Sequence, residues 1–538
     1  MKKIILLILA LFLFDNDNSV DKRPNIIWLV AEDQSINFFP MYGDETINLP
    51  NLSSLRKDGI LYENAYSPVP VCAPARSSII TGMYPTSIGT HNMRTYAEFP
   101  QPKPSKDIIN YSPVPNSSVK MFTEYLRKNN YYTSNYGKED YNFKKTDGSW
   151  DYSCTRECSR ILEPLWRKRN EDQPFFSVFN FGITHESQVW SQGNKELYVN
   201  PDEINVPPIF PDTAEVRKDL AVNYSNLIRL DKQIGEMIDL LKKDNLYNNS
   251  VIFFYADHGG PFPRFKRALY ETGIKVPLII KLPKNLDYNT SNSSLVSFID
   301  YAPTVLSLAG IKPPKYMQGK ALLGKYMSKE KSEFIFSGSD RFDEHVDRSR
   351  AVIHGGYKYI KHFNPEISRT NNAYRDNMEM MKNMNKLWAE GKLGKDQAQW
   401  FKNPKPREEL YLLDEDPYEL NNIVNDLKYA DKLKFMQESL NEWIIKTNDL
   451  GEFNELDLIN KFLVDGNQPK LSPLNLERKD SLVLLRHDDN DITIVWRRMG
   501  EKKWKIYSSG LNLIDNIEAK AVQIGYEDSE ITKILFKN

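Results

Sequence analysis

The chain has 538 residues, enough to bury a large core and to divide into two to four domains or subdomains. Its 71 Lys and Arg residues meet 72 Asp and Glu residues, for a net charge of −1, so no long-range field draws the protein to nucleic acid or to an anionic membrane. An anionic ligand must therefore be held by a local basic pocket, and three cysteines in so long a chain exclude a disulfide framework.

At the N-terminus, Lys2 and Lys3 precede an apolar run over residues 4–14, and a polar stretch begins at Asp15. The run is too short to span a bilayer and fits the apolar region of an export signal. Residues 1–19 are expected to be a signal peptide, and the mature protein to be exported, periplasmic or secreted. No later run is long enough for a membrane-spanning helix, so the protein is not expected to be integral to a membrane.

Short apolar runs bounded by turn signals follow at 26–31, 131–136, 175–181 and 251–256, and residues 216–242 have the apolar spacing of an amphipathic helix. This is the pattern of an α/β domain with a mostly parallel central sheet covered by helices, over about 20–331. Just past each run stand polar residues: Glu32 and Asp33, Lys138, His185, then Asp257 and His258. In open α/β sheets that carboxyl edge is where ligands bind.

Cys154 and Cys158 are spaced for a short local bridge or for two unpaired thiols, which leaves Cys72 to be explained by itself. Beyond residue 332 the apolar runs shorten, at 334–337, 351–354 and 357–361, and a charged helical stretch follows near 378–402. A smaller α+β subdomain over 332–468 is expected. The tail over 469–538 alternates at 481–486, 492–497 and 503–508, which predicts an appended β module; alternation alone says nothing of a ligand, so it is expected to pack on the core.

The segment SPVPVCAPARSSIITGMYPTSIGTH sets Cys72 two residues before Pro74 and four before Arg76, and leads into a helix. Pro suits a first helical turn, whose free N–H groups and dipole attract an anion, and Arg76 adds a permanently charged fork. This segment resembles the type I sulfatase signature, C-x-P-x-R followed by TG-x-YP. The resemblance extends from residue 24 to about 425, through RPNIIWLVAED, FFYADHGG and KRALYETGIKVPLII. It implies an alkaline-phosphatase-like sandwich with a smaller C-terminal subdomain. It also implies that a formylglycine-generating or sulfatase-maturating enzyme oxidises Cys72 to formylglycine, whose hydrated aldehyde is the nucleophile.

By the same resemblance, Glu32, Asp33, Asp257 and His258, together with residue 72, hold one calcium ion. Glu32 stands where most relatives carry Asp, and His258 where many carry Asn; a nitrogen ligand suits calcium poorly. Lys138 and Lys266 match the lysines that contact sulfate and the bridging oxygen, and His185 matches a sulfate-proximal histidine placed to protonate the leaving alcohol. Asp140 occupies the place of a histidine that many relatives use as base, and is read either as that base or as an orienting group. His91, Arg94, Arg341, Asp343 and His345, on loops, are expected to meet the sugar. The expected substrate is a sulfated oligo- or polysaccharide, whether an algal glycan such as ulvan or carrageenan or a glycosaminoglycan. A phosphomonoesterase or phosphodiesterase of the same superfamily and a glycan-binding pseudoenzyme are the alternatives; Ser or Thr in place of Cys72 would have favoured the first.

Overall fold

The structure, a computed structural model, describes residues 23–96, 103, 105–155, 164–283, 290–370, 374–479, 482–512 and 515–535. The expected signal peptide at 1–19 and Cys158 lie outside the described residues. Cys154 is disulfide-bonded, and Cys72 is a free, buried cysteine.

The core is an eight-stranded sheet. Its strands are β1 (Asn25–Ala31), β2 (Gly59–Tyr66), β3 (Tyr132–Tyr136), β4 (Tyr152–Cys154), β5 (Phe175–Phe181), β6 (Ser250–Ala256), β7 (Lys275–Lys281) and β8 (Thr290–Ser297), in the spatial order β4-β3-β5-β1-β6-β7-β2-β8. Only β7 runs against its neighbours. The central strands β1, β5 and β6 are buried at every position, which is why they read as unbroken apolar runs rather than alternating ones. Trp28 on β1 anchors one face: its ring meets Phe176 edge-on at 4.9 Å, Tyr255 at 5.5 Å and Phe122 at 5.4 Å.

The long helix α1 (Ala214–Lys243) covers the sheet. Thr213 caps it by accepting the Val216 N–H, and Lys242 and Lys243 lie in its last turn, where positive charge suits the helix dipole. Val216, Leu220, Leu227, Leu230, Ile234 and Leu241 form its buried stripe. Asp219 lies within that stripe, 3% exposed, accepting the Met380 N–H that opens the next helical segment. Burial pushes its carboxyl up to about 7, so the folded state binds a proton there more tightly than the unfolded chain does. Stability from this group is present below the unfolded carboxylate pKa and is lost as pH rises toward 7. Asp219→Asn is therefore expected to raise the melting temperature at pH 8 by the equivalent of about 4 kcal/mol, and to change it little at pH 4; thermal scans at the two pH values check this.

A second sheet, all antiparallel, has the order β12-β11-β10-β9, with β9 Ile335–Ser339, β10 Ser349–His354, β11 Tyr357–His362 and β12 Glu408–Leu412. The charged stretch carries a helix over Glu379–Ala389 and a short one over Lys395–Ala398. After residue 469 come two small antiparallel sheets. They pack against the main domain through Thr493 on Glu124 (2.7 Å), Gln523 on Lys120 (2.6 Å) and the Arg127 guanidinium on the Trp504 carbonyl (2.6 Å). Among the described residues no helix is long and apolar enough to cross a membrane.

Candidate active site

Because β3, β5, β1 and β6 are parallel neighbours, the residues after each emerge along one edge of the sheet. Glu32 and Asp33 follow β1, Lys138 follows β3, His185 follows β5, and Asp257 and His258 follow β6. Cys72 meets them from above, as the first residue of the helix Cys72–Thr81. Val71 offers no side-chain cap, so the first N–H groups of that helix stay free to face an anion. On its apolar side Cys72 packs in one buried cluster with Val69, Val71, Ala73, Met93 and Phe342.

Sγ of Cys72 lies 3.2 Å from Nε2 of His258 and 3.9 Å from Oδ1 of Asp33. Nε2 of His258 is also 3.0 Å from Asp33 and 3.7 Å from Asp257, and the other ring nitrogen, 2.9 Å from the Gly259 carbonyl, donates to it. Burial disfavours a charged imidazole, but Asp257, Cys72 and Asp33 outweigh it and push His258 up to about 10. Burial likewise opposes ionisation of the thiol, and Lys138 and Lys266 overcome it, drawing Cys72 down to about 5. Against its own burial, the Asp33 carboxyl is held well below the usual range by Lys266 and the two histidines.

Donor atoms of Asp33, Cys72, Asp257 and His258 all lie within 4.8 Å of one another, and all four residues are buried. Two ionised carboxylates and a side chain that would present oxygen once oxidised fit a divalent cation, with His258 as a fourth, nitrogen donor. Glu32 lies outside that group of four, with its Oε1 3.5 Å from Arg76 and 3.3 Å from Lys138.

Arg76 grips Oδ2 of Asp257 through Nε (3.1 Å) and Nη2 (2.9 Å), and Asn180 through Nη1 (2.6 Å). Lys266 is 2.7 Å from Asp33 and 2.9 Å from Glu186. His185 accepts the Ser187 N–H at Nδ1, which leaves the ring proton on Nε2. Asp140 is held by Arg94 at 3.3 and 3.0 Å and lies 3.7 Å from Lys138. Burial would raise its carboxyl, but Arg94 and Lys138 hold it far below the usual range, which makes it a weak base.

The residues expected to meet sugar separate. Arg94 and Asp343 border the centre, the latter bonded to Arg267 at 2.6 Å. His345 lines an adjoining recess. Arg341 is 2% exposed and committed to Glu455, 114 residues on. His91 is 1% exposed among Asp340, Arg350 and Asp449, with burial drawing its pKa down.

Three residues that sequence reasoning missed complete the set. Asn180, the second-last residue of β5, holds Arg76 and donates to the carbonyls of Tyr136 (2.9 Å) and Lys138 (2.9 Å), shaping the lysine loop. Glu186 and Arg267 form a bidentate pair at 2.9 and 3.0 Å between Lys266 and Asp343. Their one signal was adjacency, since Glu186 follows His185 and Arg267 follows Lys266. Asp33, Arg94, Asp140, Arg267 and Asp343 all have positive φ, between 50° and 73°. Such backbone costs about 1 kcal/mol or more each, and concentrates where surrounding ion pairs over-determine a site.

A family model described as "Sulfatase" matches residues 24–311, and one described as the C-terminal region of N-sulphoglucosamine sulphohydrolase matches 260–399. An ulvan-active sulfatase of Formosa agariphila is 37% identical over 95% of this chain and 91% of its own length. Human N-sulphoglucosamine sulphohydrolase is 23% identical, over 79% of this chain and 91% of its own. A solved putative sulfatase of Bacteroides thetaiotaomicron aligns with TM-score 0.58 and 17% identity, covering 79% of this chain and 93% of that one. A structure determined with its substrate D-glucosamine-2-N,6-O-disulfate aligns with TM-score 0.56 and 17% identity, covering 80% and 100%. These neighbours share the alkaline-phosphatase-like fold. With a family match over more than half the chain and a relative this similar along nearly its whole length, the chain belongs to the sulfatase family, as a sulfuric ester hydrolase.

Proposed function

We propose that this exported enzyme removes sulfate from a sulfated oligo- or polysaccharide, with ulvan the first candidate, using formylglycine made from Cys72 and a calcium ion. The observation that carries the reading is the placement of Cys72 at a free helix N-terminus, 3.2 Å from His258, with Lys138 and Lys266 drawing its charge. The full-length similarity to an ulvan-active sulfatase supports the substrate class.

Asp33, Asp257, His258 and residue 72 would hold the calcium ion, which when bound supplies positive charge beside the sulfate. Oxidation of Cys72 by a maturating enzyme supplies the oxygen nucleophile. Arg76, locked by Asp257 and Asn180, orients the oxygens at residue 72, and Lys138 and Lys266 neutralise the sulfate oxygens. His185, with its proton on Nε2, delivers that proton to the departing alcohol. Asp140 is an orienting group for Lys138 and Arg94 rather than a base, because both its oxygens are engaged and its pKa is depressed. Signal removal at 1–19, a catalytic domain over 20–331, an α+β subdomain over 332–468 and a β module over 469–538 complete the proposal.

The test is sulfate release from a panel of defined ulvan, carrageenan and glycosaminoglycan oligosaccharides, set against phosphate-ester analogues. Release from at least one sulfated glycan, preferred over the phosphate ester by a hundredfold or more, is expected. Faster phosphate release sinks the reading in favour of a phosphatase, and binding without release favours a glycan-binding protein.

A further inference from the structure

A recess with a basic lining opens beside the active site. Arg267 is the partition: it lines the recess, while its guanidinium holds Glu186, the carboxylate that Lys266 also holds. The recess therefore begins one residue along the chain from a lysine proposed to contact sulfate.

Most cations on its wall already have a carboxylate. Arg267 is paired with Glu186 and Asp343, Arg369 with Glu409, and Lys405 with Asp347. Arg375 differs. It is 3% exposed, and only its Nη2 is engaged, donating to the Arg369 carbonyl at 2.7 Å. Nε and Nη1 have no hydrogen-bond partner, and no salt bridge among the described residues includes Arg375. The ring of Trp400 lies 5.2 Å from the guanidinium carbon, itself buried and with its own Nε1 unpartnered.

A buried guanidinium with no anion bonded to it destabilises a fold, because the water stripped from the charge is only partly replaced. Burial, reinforced by repulsion from Arg267, draws Arg375 down to about 10 against the weaker pull of Asp376, Glu186 and Asp343. Two residues with unpartnered donors, Arg375 and Trp400, thus line the same recess.

We propose that Arg375, with Trp400 beside it, forms a second anion subsite that binds an oxyanion on the sugar neighbouring the one whose sulfate is released. A uronate carboxylate and a second sulfate share the required chemistry, a planar or tripodal set of oxygens that a guanidinium grips through charge-assisted hydrogen bonds. The proposal rests on the sulfatase reading and deepens it: the preferred substrate carries negative charge on two adjacent sugars.

The test uses the mature, full-length enzyme and a matched set of sulfated oligosaccharides. In one member the neighbouring sugar carries a carboxylate, in another a second sulfate, and in a third that carboxylate is reduced to an alcohol. The wild type is expected to favour one or both anionic members over the neutral one by tenfold or more in kcat/KM, chiefly through KM; whichever member is favoured identifies the anion. In Arg375→Met that ratio is expected to fall toward one, and Arg375→Lys to retain part of it. The melting temperature of Arg375→Met is expected to equal or exceed that of the wild type, since the change removes an uncompensated buried charge. A wild type that treats the members alike, a variant that keeps the ratio, or a variant that unfolds at lower temperature overturns the subsite. If the wild type releases sulfate from none of the members nor from the wider panel, it is the sulfatase reading that fails.

Discussion

Cys72→Ala is expected to abolish sulfate release, by a factor of 10⁴ or more, while leaving the fold intact. The carboxylates, histidines and lysines around residue 72 are engaged in ion pairs with one another, whereas Cys72 is the residue that carries the nucleophile in the proposed reaction. The substitution removes one sulfur from a helix whose ten residues are all buried. Its thermal cost is therefore small, on the order of 1 kcal/mol, and its sign depends on how far loss of a charge beside Asp33 and Asp257 offsets the lost packing. Melting scans together with ion chromatography of released sulfate check both halves. An unfolded variant would leave the nucleophile unproven by this route, whereas a folded variant with turnover contradicts it.

Asp257→Asn is expected to damage both stability and chemistry. The carboxylate is fully buried; Oδ2 accepts two N–H groups of Arg76, and Oδ1 accepts the Asp33 N–H at 3.1 Å. An amide of the same shape keeps one acceptor and turns its NH₂ toward donors that already need an acceptor. Arg76 is then left with Asn180 and with Glu32 at 3.5 Å. Removing one partner of a buried pair costs about 3–5 kcal/mol, and the donor cluster loses one of its two carboxylates. A lower melting temperature, loss of bound divalent ion by elemental analysis, and a fall in kcat/KM of about a thousandfold or more are expected. A variant that keeps ion and turnover removes Asp257 from the proposed ligand set.

Much of the fold was legible because burial leaves a plain mark on a parallel sheet. The runs at 26–31, 175–181 and 251–256 contain few polar residues because β1, β5 and β6 are covered on both faces. The strand β4, three half-buried residues long, leaves no such mark, and the reversal of β7 depends on the course of the long connection over 257–274, which apolar patterning does not encode. The β-like tail was visible from alternation, but its docking through Thr493, Gln523 and Trp504 depends on surfaces hundreds of residues away.

The site was legible in position and less so in partnership. Each strand end announced which residues would gather, because parallel neighbours deliver their C-terminal ends to one edge. Which side chain faces which could not be read. Glu32 turns to Arg76 and Lys138, Arg341 is taken by Glu455, and Asp140 is closed off by Arg94. Arg375 was invisible for another reason: an isolated arginine in a charged stretch looks solvated, and only packing against Trp400 reveals that it is not.

The central claim is that residue 72 acts as formylglycine, and it is tested most directly by measuring its converted fraction against turnover. Preparations made with and without a maturating enzyme would be digested, and the peptide spanning residue 72 weighed to separate aldehyde from thiol. Sulfate release per mole of protein is predicted to rise in proportion to the aldehyde fraction and to vanish with it. Full turnover from protein that carries only the thiol would contradict the account.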